Sequence, residues 1–156
     1  MKVIVIGSGG REHAIAWRLA QSPKVNEIIC VPGNGGTAIE KKCRNSDGDA
    51  VKIALEEKVD FAVIGPEDPL AEGLADKLWE NNIPAVGPKS KGAALEASKD
   101  LSKVFMKKYG VACADSETFT NKEEALAYVR QKGAPIVIKA DGLAAGKGVT
   151  VAATVE

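Results

Sequence analysis

The stretch KVIVIGSGGREHA, residues 2–14, decides the fold. Its first half is a run of valines and isoleucines with no polar alternation, which is how a strand reads when both faces of its sheet are covered. Its second half turns on glycines and opens a helix from about Glu12 to Gln21. The alternation continues downstream, where EIICV (27–31), DFAVIG (60–65) and IPAVG (83–87) read as three further strands. Between them, DGDAVKIALEEKV (47–59) reads as a helix opened by an Asp cap. PLAEGLADKLWENN (69–82) reads as one amphipathic helix with Leu70, Leu74, Leu78 and Trp79 on one side. Apolar strands separated by helices predict a parallel sheet, and hence a Rossmann-like α/β domain.

The pattern changes near residue 90. KGAALEASKDLSKVFMKKYG (91–110) predicts two helices with a break near Ser98 and a stop at Gly110. A short strand at SETF (116–119) and a helix over 121–132, capped by Thr120 or Asn121, come next. PIVIKA and GVTVAA are then strands flanking a glycine-rich loop. The expected organisation is a domain over 1–100 and the start of a second over 101–156.

Composition excludes several classes. Lys plus Arg and Asp plus Glu are balanced at 21 each in 156 residues, so the chain as a whole carries no basic surplus for nucleic acid. No apolar run approaches the ~20 residues of a membrane span. The first apolar stretch ends in glycines that open a helix, so it reads as a buried strand and not as a signal peptide. The three cysteines are far apart in sequence, and His13 is the only histidine, which argues against a metal site of these residues. Cys30 falls inside an apolar run and reads as a small core residue. A cytoplasmic setting fits that usage.

In an open parallel sheet, ligands bind beyond the carboxyl ends of the strands. Each predicted strand of the first domain ends there in glycine or proline. GSGGREHA (7–14) places Gly7, Gly9 and Gly10 ahead of a helix whose amides face an anion. It departs from the dinucleotide fingerprint, because Glu12 stands at the sixth position in place of glycine. VPGNGG (31–36) offers no acidic residue for an adenosine ribose. Both features count against NAD. GPEDPLAEG (65–73) puts Glu67 at a strand tip, suited either to hydroxyls and amines or simply to starting a helix. Arg11 and His13 are placed to face the same mouth, and His13 reads equally as a structural histidine. Lys89 and Lys91 read as solvated charges.

IKADGLAAGKGV (138–149) is not a Walker A sequence, lacking GxxxxGK[ST] and a following helix. It predicts two antiparallel strands joined by a loop that folds over phosphates. Lys139 would offer a fixed charge from the strand, and Lys147 with the amides of Gly146 and Gly148 would meet phosphate oxygens. A plain glycine-rich hairpin with a surface lysine is the alternative.

Taken in order, GSGGREHA, PGNGG, GPEDPL, GPKSKGAALEASK and VIKADGLAAGKGV resemble the glycinamide ribonucleotide synthetase family of purine biosynthesis. The resemblance implies a pre-ATP-grasp domain followed by an ATP-grasp domain. It implies ATP-dependent ligation of glycine to 5-phosphoribosylamine through a glycyl phosphate, with ATP and Mg2+ as cofactors. By that likeness Lys103 and Lys139 match two nucleotide-contacting lysines, and Gly142, Ala145, Gly146, Lys147 and Gly148 belong to a mobile loop over the phosphates. Gly9, Gly10, Arg11, Glu12, Asn34, Gly35 and Glu67 match the phosphoribosylamine side. The chain stops at Glu156, short of the family's length, so the expectation is an amino-terminal portion, not catalytically complete alone. No catalytic residue or magnesium ligand is assigned within it, and the metal's carboxylates are expected beyond it. Two other readings stay open: an NAD-dependent Rossmann protein, and a non-catalytic module that holds a phosphorylated ligand or self-associates through an unpaired sheet edge.

Overall fold

The amino-terminal apolar run folds as the middle strand of a five-stranded sheet in the computed structural model, which describes residues 1–144 and 146–156. Strand β1 (Lys2–Gly7) pairs in parallel with β2 (Glu27–Pro32) and with β4 (Phe61–Ile64). With β3 (Cys43–Asn45) and β5 (Ala85–Val86) at the edges, the order is β3-β2-β1-β4-β5. The connection thus reverses direction at β1, and the crevice beside its carboxyl end is the switch point of the sheet.

Alternation along β1 explains why that run has no polar residue. Val3 and Val5 point to one face, where Ile28 and Cys30 of β2 meet Ala16 of helix α1 (Gly10–Ala20). Ile4 and Ile6 point to the other, where Ile29 and Val31 meet Ala54 of α2 (Ala50–Glu56), Leu70 of α3 (Glu67–Ala71), and Ala75 and Leu78 of α4 (Leu74–Glu80). Both faces are covered, so every residue of the strand interior is buried. Burial pushes the Cys30 thiol up to about 12, as befits a core residue with Cys43 beside it.

Three features differ from the sequence expectation. The sheet has a strand, β3, that the hydrophobic pattern does not show. It is three residues long, and it is held as much by charge as by pairing. Arg44 reaches Glu27 at 2.8 Å and Glu57 at 2.7 Å, and Lys2 closes the cluster on the same two carboxylates at 3.2 and 3.1 Å. The helix expected over 69–82 is two helices, because Gly73 stands in the left-handed region at φ 82° and breaks the run. Leu70 and Leu78 still reach the core, whereas Trp79 is exposed. The strand expected at 116–119 is irregular chain. Its polar groups are taken up by side chains: Ser116 O accepts from Lys107 Nζ at 3.0 Å, and Thr118 Oγ1 donates to Asp100 at 2.6 Å.

The chain divides into two units, residues 1–93 and 94–156, with helix α5 (Ser90–Ala97) running across the division. In the second unit, α6 (Lys99–Lys108) starts at Ser98, whose hydroxyl accepts from Leu101 N at 3.1 Å. Helix α7 (Lys122–Lys132) is capped by Asn121 and closed at Gly133, as its sequence suggests. Strands β6 (Ile136–Lys139) and β7 (Val149–Ala152) pair antiparallel around the glycine loop. Among the described residues no helix is long and apolar enough to cross a membrane.

Candidate functional site

Two recesses, one in each unit, are lined by some of the residues singled out from sequence: Gly9 and Glu12 in the first, Lys103 and Lys139 in the second. The first, about 410 Å³, opens at the switch point and is lined by Gly7, Ser8, Gly9, Glu12, Pro32 and Pro66 among others. Glu12 organises it. Only 3% exposed, the side chain lies where the tips of β1 and β4 meet, against glycines that leave no room for anything else. A methyl group at Gly65 would collide with Glu12 Oε1, and one at Gly7 would stand 2.6 Å from Glu12 Cγ. The dinucleotide fingerprint places a third glycine here for close helix–strand packing; this chain fills the same space with a carboxylate and removes side chains around it.

The Glu12 carboxylate is fully engaged. Oε2 accepts from Gly9 N at 2.7 Å, the reciprocal half of a capping box, and Oε1 accepts from Arg11 Nε at 2.7 Å. Burial pushes its pKa up, but the Arg11 and Gly9 bonds outweigh that and hold it below the ordinary glutamate range. Glu12 therefore acts through its neighbours: it fixes the Gly9 turn and aims Arg11. The Arg11 side chain is more than half exposed and also stands 3.8 Å from Glu67.

Asn34 straps the second loop to the first. Its Nδ2 donates to Ser8 O at 2.9 Å and Gly9 O at 3.2 Å, while Oδ1 accepts from Gly36 N and Thr37 N at 2.8 and 3.0 Å. Behind it, fully buried Thr37 donates to Asn45 Oδ1 at 2.7 Å, and Asn45 Nδ2 donates to Asn34 O at 2.8 Å. Thr37 and Asn45 were not legible as site residues; the only sequence sign was an Asn–Thr pair three apart, the spacing of a local side-chain-to-backbone turn. Gly10 and Gly35 have open space where a side chain would stand, so the backbone there is accessible. His13 sits beside the mouth with Nε2 3.1 Å from Glu40 Oε1. The structure thus brings Gly9, Arg11, Glu12, Asn34 and Glu67 together at one end of the sheet.

The second recess, about 680 Å³, lies within residues 99–141 and is lined by Lys99, Asp100, Lys103, Lys139 and Asp141 among others. Lys103 Nζ donates to Ala114 O at 2.8 Å on the wall and, as an ammonium, has further protons to give. Lys139 ends β6 in the same cleft. The loop beyond is closed at its neck by Ala140 N donating to Gly148 O at 2.8 Å, and turned within by Lys147 N donating to Ala144 O at 2.8 Å. A methyl at Gly148 would stand 2.8 Å from Ala144 Cβ. Ala145 lies outside the described residues.

The lysines of this cleft suit a polyanion such as a nucleotide phosphate. Of its carboxylates, Asp100 accepts from Thr118 and Asp141 from backbone amides. Among the described residues no group of three or more His, Cys, Asp or Glu is placed to hold a metal.

Fold and sites define a Rossmann-like α/β protein with a ligand mouth at its switch point, continued by a helix and hairpin unit with a lysine-lined cleft. Comparison with known proteins narrows this. The phosphoribosylglycinamide synthetase N-domain model matches residues 1–96, and the model of that synthetase's ATP-grasp (A) domain matches residues 97–156. The chain belongs to the phosphoribosylglycinamide synthetase family. It is 53% identical to the phosphoribosylamine–glycine ligase of Neisseria meningitidis serogroup B over 160 aligned positions, covering 100% of this chain and 38% of the relative. The crystal structure of the Thermotoga maritima phosphoribosylamine–glycine ligase matches with 34% identity and a TM-score of 0.75, over 99% of this chain and 37% of that one. A biotin carboxylase domain from Hydrogenobacter thermophilus shares the fold at 20% identity, with a TM-score of 0.78 and coverage of 99% and 38%. The chain thus spans well under half the length of the relatives it matches.

Proposed function

We propose that this chain supplies the phosphoribosylamine mouth and one wall of the nucleotide cleft of an ATP-dependent carbon–nitrogen ligase. The ligase joins glycine to 5-phosphoribosylamine by way of glycyl phosphate, releasing glycinamide ribonucleotide, ADP and phosphate, in the cytoplasm. The observation that carries the reading is the whole-chain likeness to phosphoribosylamine–glycine ligases, 53% identical in the Neisseria case.

The geometry supports it by division of labour. Catalysis of phosphoryl transfer is mainly positioning and charge neutralisation. Lys103 and Lys139 oppose the triphosphate's charge from α6 and β6, and the glycine loop with Gly142, Gly146, Lys147 and Gly148 covers it. Arg11, aimed by Glu12, meets the substrate phosphate beside the open backbone at Gly10, with Gly9 holding the turn. Asn34 and Gly35 shape the opposite lip, and Glu67 takes hydroxyls or the amine. A magnesium ion bound with the nucleotide would neutralise phosphate charge. Self-association is a further part of the reading, favoured by exposed Val137, Ile138, Val149 and Val151 on the β6–β7 pair.

Calorimetric titration with MgATP, glycinamide ribonucleotide and, in parallel, NAD tests it. Binding of the first two, with MgATP binding lost in Lys139→Ala, is the expected result. Binding of NAD with neither of the others would overturn the reading.

A further inference from the structure

The glycine loop is not simply hung between two strands. Its first residues are fastened to a helix some forty positions earlier in the chain. Asp141 Oδ1 accepts from Lys99 N at 2.6 Å and from Asp100 N at 3.3 Å, and Oδ2 accepts from Ser98 Oγ at 3.1 Å. Lys99 Nζ returns the contact, donating to Gly142 O at 2.7 Å. One carboxylate thereby satisfies backbone amides at the start of α6 that have no partner inside the helix, and it lies where the helix dipole favours negative charge.

We propose that Asp141 is a positioning residue for the nucleotide cleft, locking the root of the glycine loop to the amino terminus of α6 so that Lys139 and Lys103 are presented in one frame. Lys139 is two residues before Asp141, at the end of β6, and Lys103 is one helical turn beyond Lys99. All four side chains line the same cleft. Without the Asp141 carboxylate, the single Lys99 Nζ to Gly142 O bond remains of these contacts between loop root and helix. The loop neck, where Ala140 N donates to Gly148 O at 2.8 Å, follows Lys139 and adjoins the anchor. The bonds from Asp100, Lys99 and Ser98 also hold the Asp141 carboxyl below the usual aspartate range, favouring the charged form that makes the anchor. In the sequence Asp141 reads only as a turn residue ahead of Gly142.

The inference rests on the nucleotide reading of this cleft, and the test separates the two. Asp141→Ala and Asp141→Asn are titrated with MgATP and with AMP beside wild type, and tryptic cleavage after Lys147 is timed in each without nucleotide. Asp141→Ala is expected to weaken MgATP binding about tenfold, the scale of losing hydrogen bonds to a charged group. Its AMP affinity stays near wild type, because AMP lacks the phosphates that the loop covers. Cleavage quickens by a similar factor, and Asp141→Asn, which keeps an acceptor oxygen, recovers much of both. Equal losses for MgATP and AMP would mean a merely structural role and overturn the proposal. So would wild-type MgATP affinity in Asp141→Ala. A wild-type chain that binds AMP and MgATP equally, or binds neither, would overturn the nucleotide reading itself and the positioning role with it.

Discussion

The two units of this chain are held together by different forces. Among the described residues, every fully buried apolar side chain lies between Val3 and Ala93. Neither α6 nor α7 buries a single residue, and β6 and β7 are partly or wholly exposed along their length. The second unit is organised by polar straps instead: Lys103 to Ala114 O, Lys107 to Ser116 O, Asp100 to Thr118, and Asp141 to the start of α6. A buried aliphatic side chain contributes about 1.5–3 kcal/mol, whereas a net hydrogen bond contributes about 0.5–1.5 kcal/mol. By that measure the first unit is expected to be the more stable one, and the hairpin unit the part that opens locally at lower cost.

The sharpest way to break that contrast is to cut into the sheet of the first unit. Ile29 is wholly buried in the centre of the sheet. Ile29→Ala should cost about 2–5 kcal/mol in urea unfolding followed by circular dichroism. If it cost no more than a truncation on β7, the first unit would not be the stable one.

A smaller effect belongs to the switch point. Gly65→Ala pushes a methyl group into Glu12 and should cost about 1–3 kcal/mol, as overpacking does. Glu12→Ala frees that space but leaves the Gly9 amide without its carboxylate. The double variant should then be more stable than the sum of the two losses predicts, by about 1 kcal/mol, since the residues share one contact. Simple additivity would show that they do not touch in solution.

Much of this architecture is legible in the amino-acid pattern. Continuous apolar runs mark the four longer-patterned strands, because a sheet covered on both faces leaves no polar position. An Asp cap ahead of α2, a break near Ser98, a cap at Thr120 or Asn121 and the Gly133 stop are legible because every helix end must satisfy its backbone groups; the structure gives the caps as Asp49, Ser98 and Asn121. What fails to show are elements held by tertiary charge or by backbone geometry. Strand β3 is short and polar, and its Arg44 makes sense only beside Glu27 and Glu57. The spacing of Leu70, Leu74 and Leu78 runs through Gly73 as though the helix did not break there. At the mouth, the glycines and Arg11 are legible as ligand-facing types. Glu12 is told from a ligand-contacting carboxylate only by the packing of Gly7, Gly9 and Gly65 around it. Asp141 and Thr37 do their work through partners distant in sequence or hidden in a turn.

Acid weakens the first unit through Glu12, with a smaller effect. The Glu12 carboxyl sits below its ordinary value of 4.5 in the folded chain. A lowered folded pKa contributes stability that is fully present above the unfolded value and is lost as pH falls through the folded one. Urea midpoints of the first unit should accordingly decline from about pH 4.5 downward. Glu12→Gln should begin less stable at neutral pH and decline less steeply. Parallel curves for the two proteins would remove Glu12 from the acid response.

The smallest expected change in stability is on the hairpin. Val151 is 73% exposed on β7, so little apolar contact is lost by replacing it. Val151→Thr keeps the β-branched shape that suits a strand, and unfolding should shift by no more than about 0.5 kcal/mol. Association is where this position should matter. Among the described residues β7 pairs with β6 alone. An apolar strand with an open edge attracts a second strand, and a hydroxyl in place of a methyl weakens that attraction without disturbing the hairpin. Light scattering over a concentration series should show wild type growing in mass and Val151→Thr growing less. A wild-type chain that stays monomeric throughout would mean that the polar straps of the second unit suffice, and that exposure on β7 carries no association.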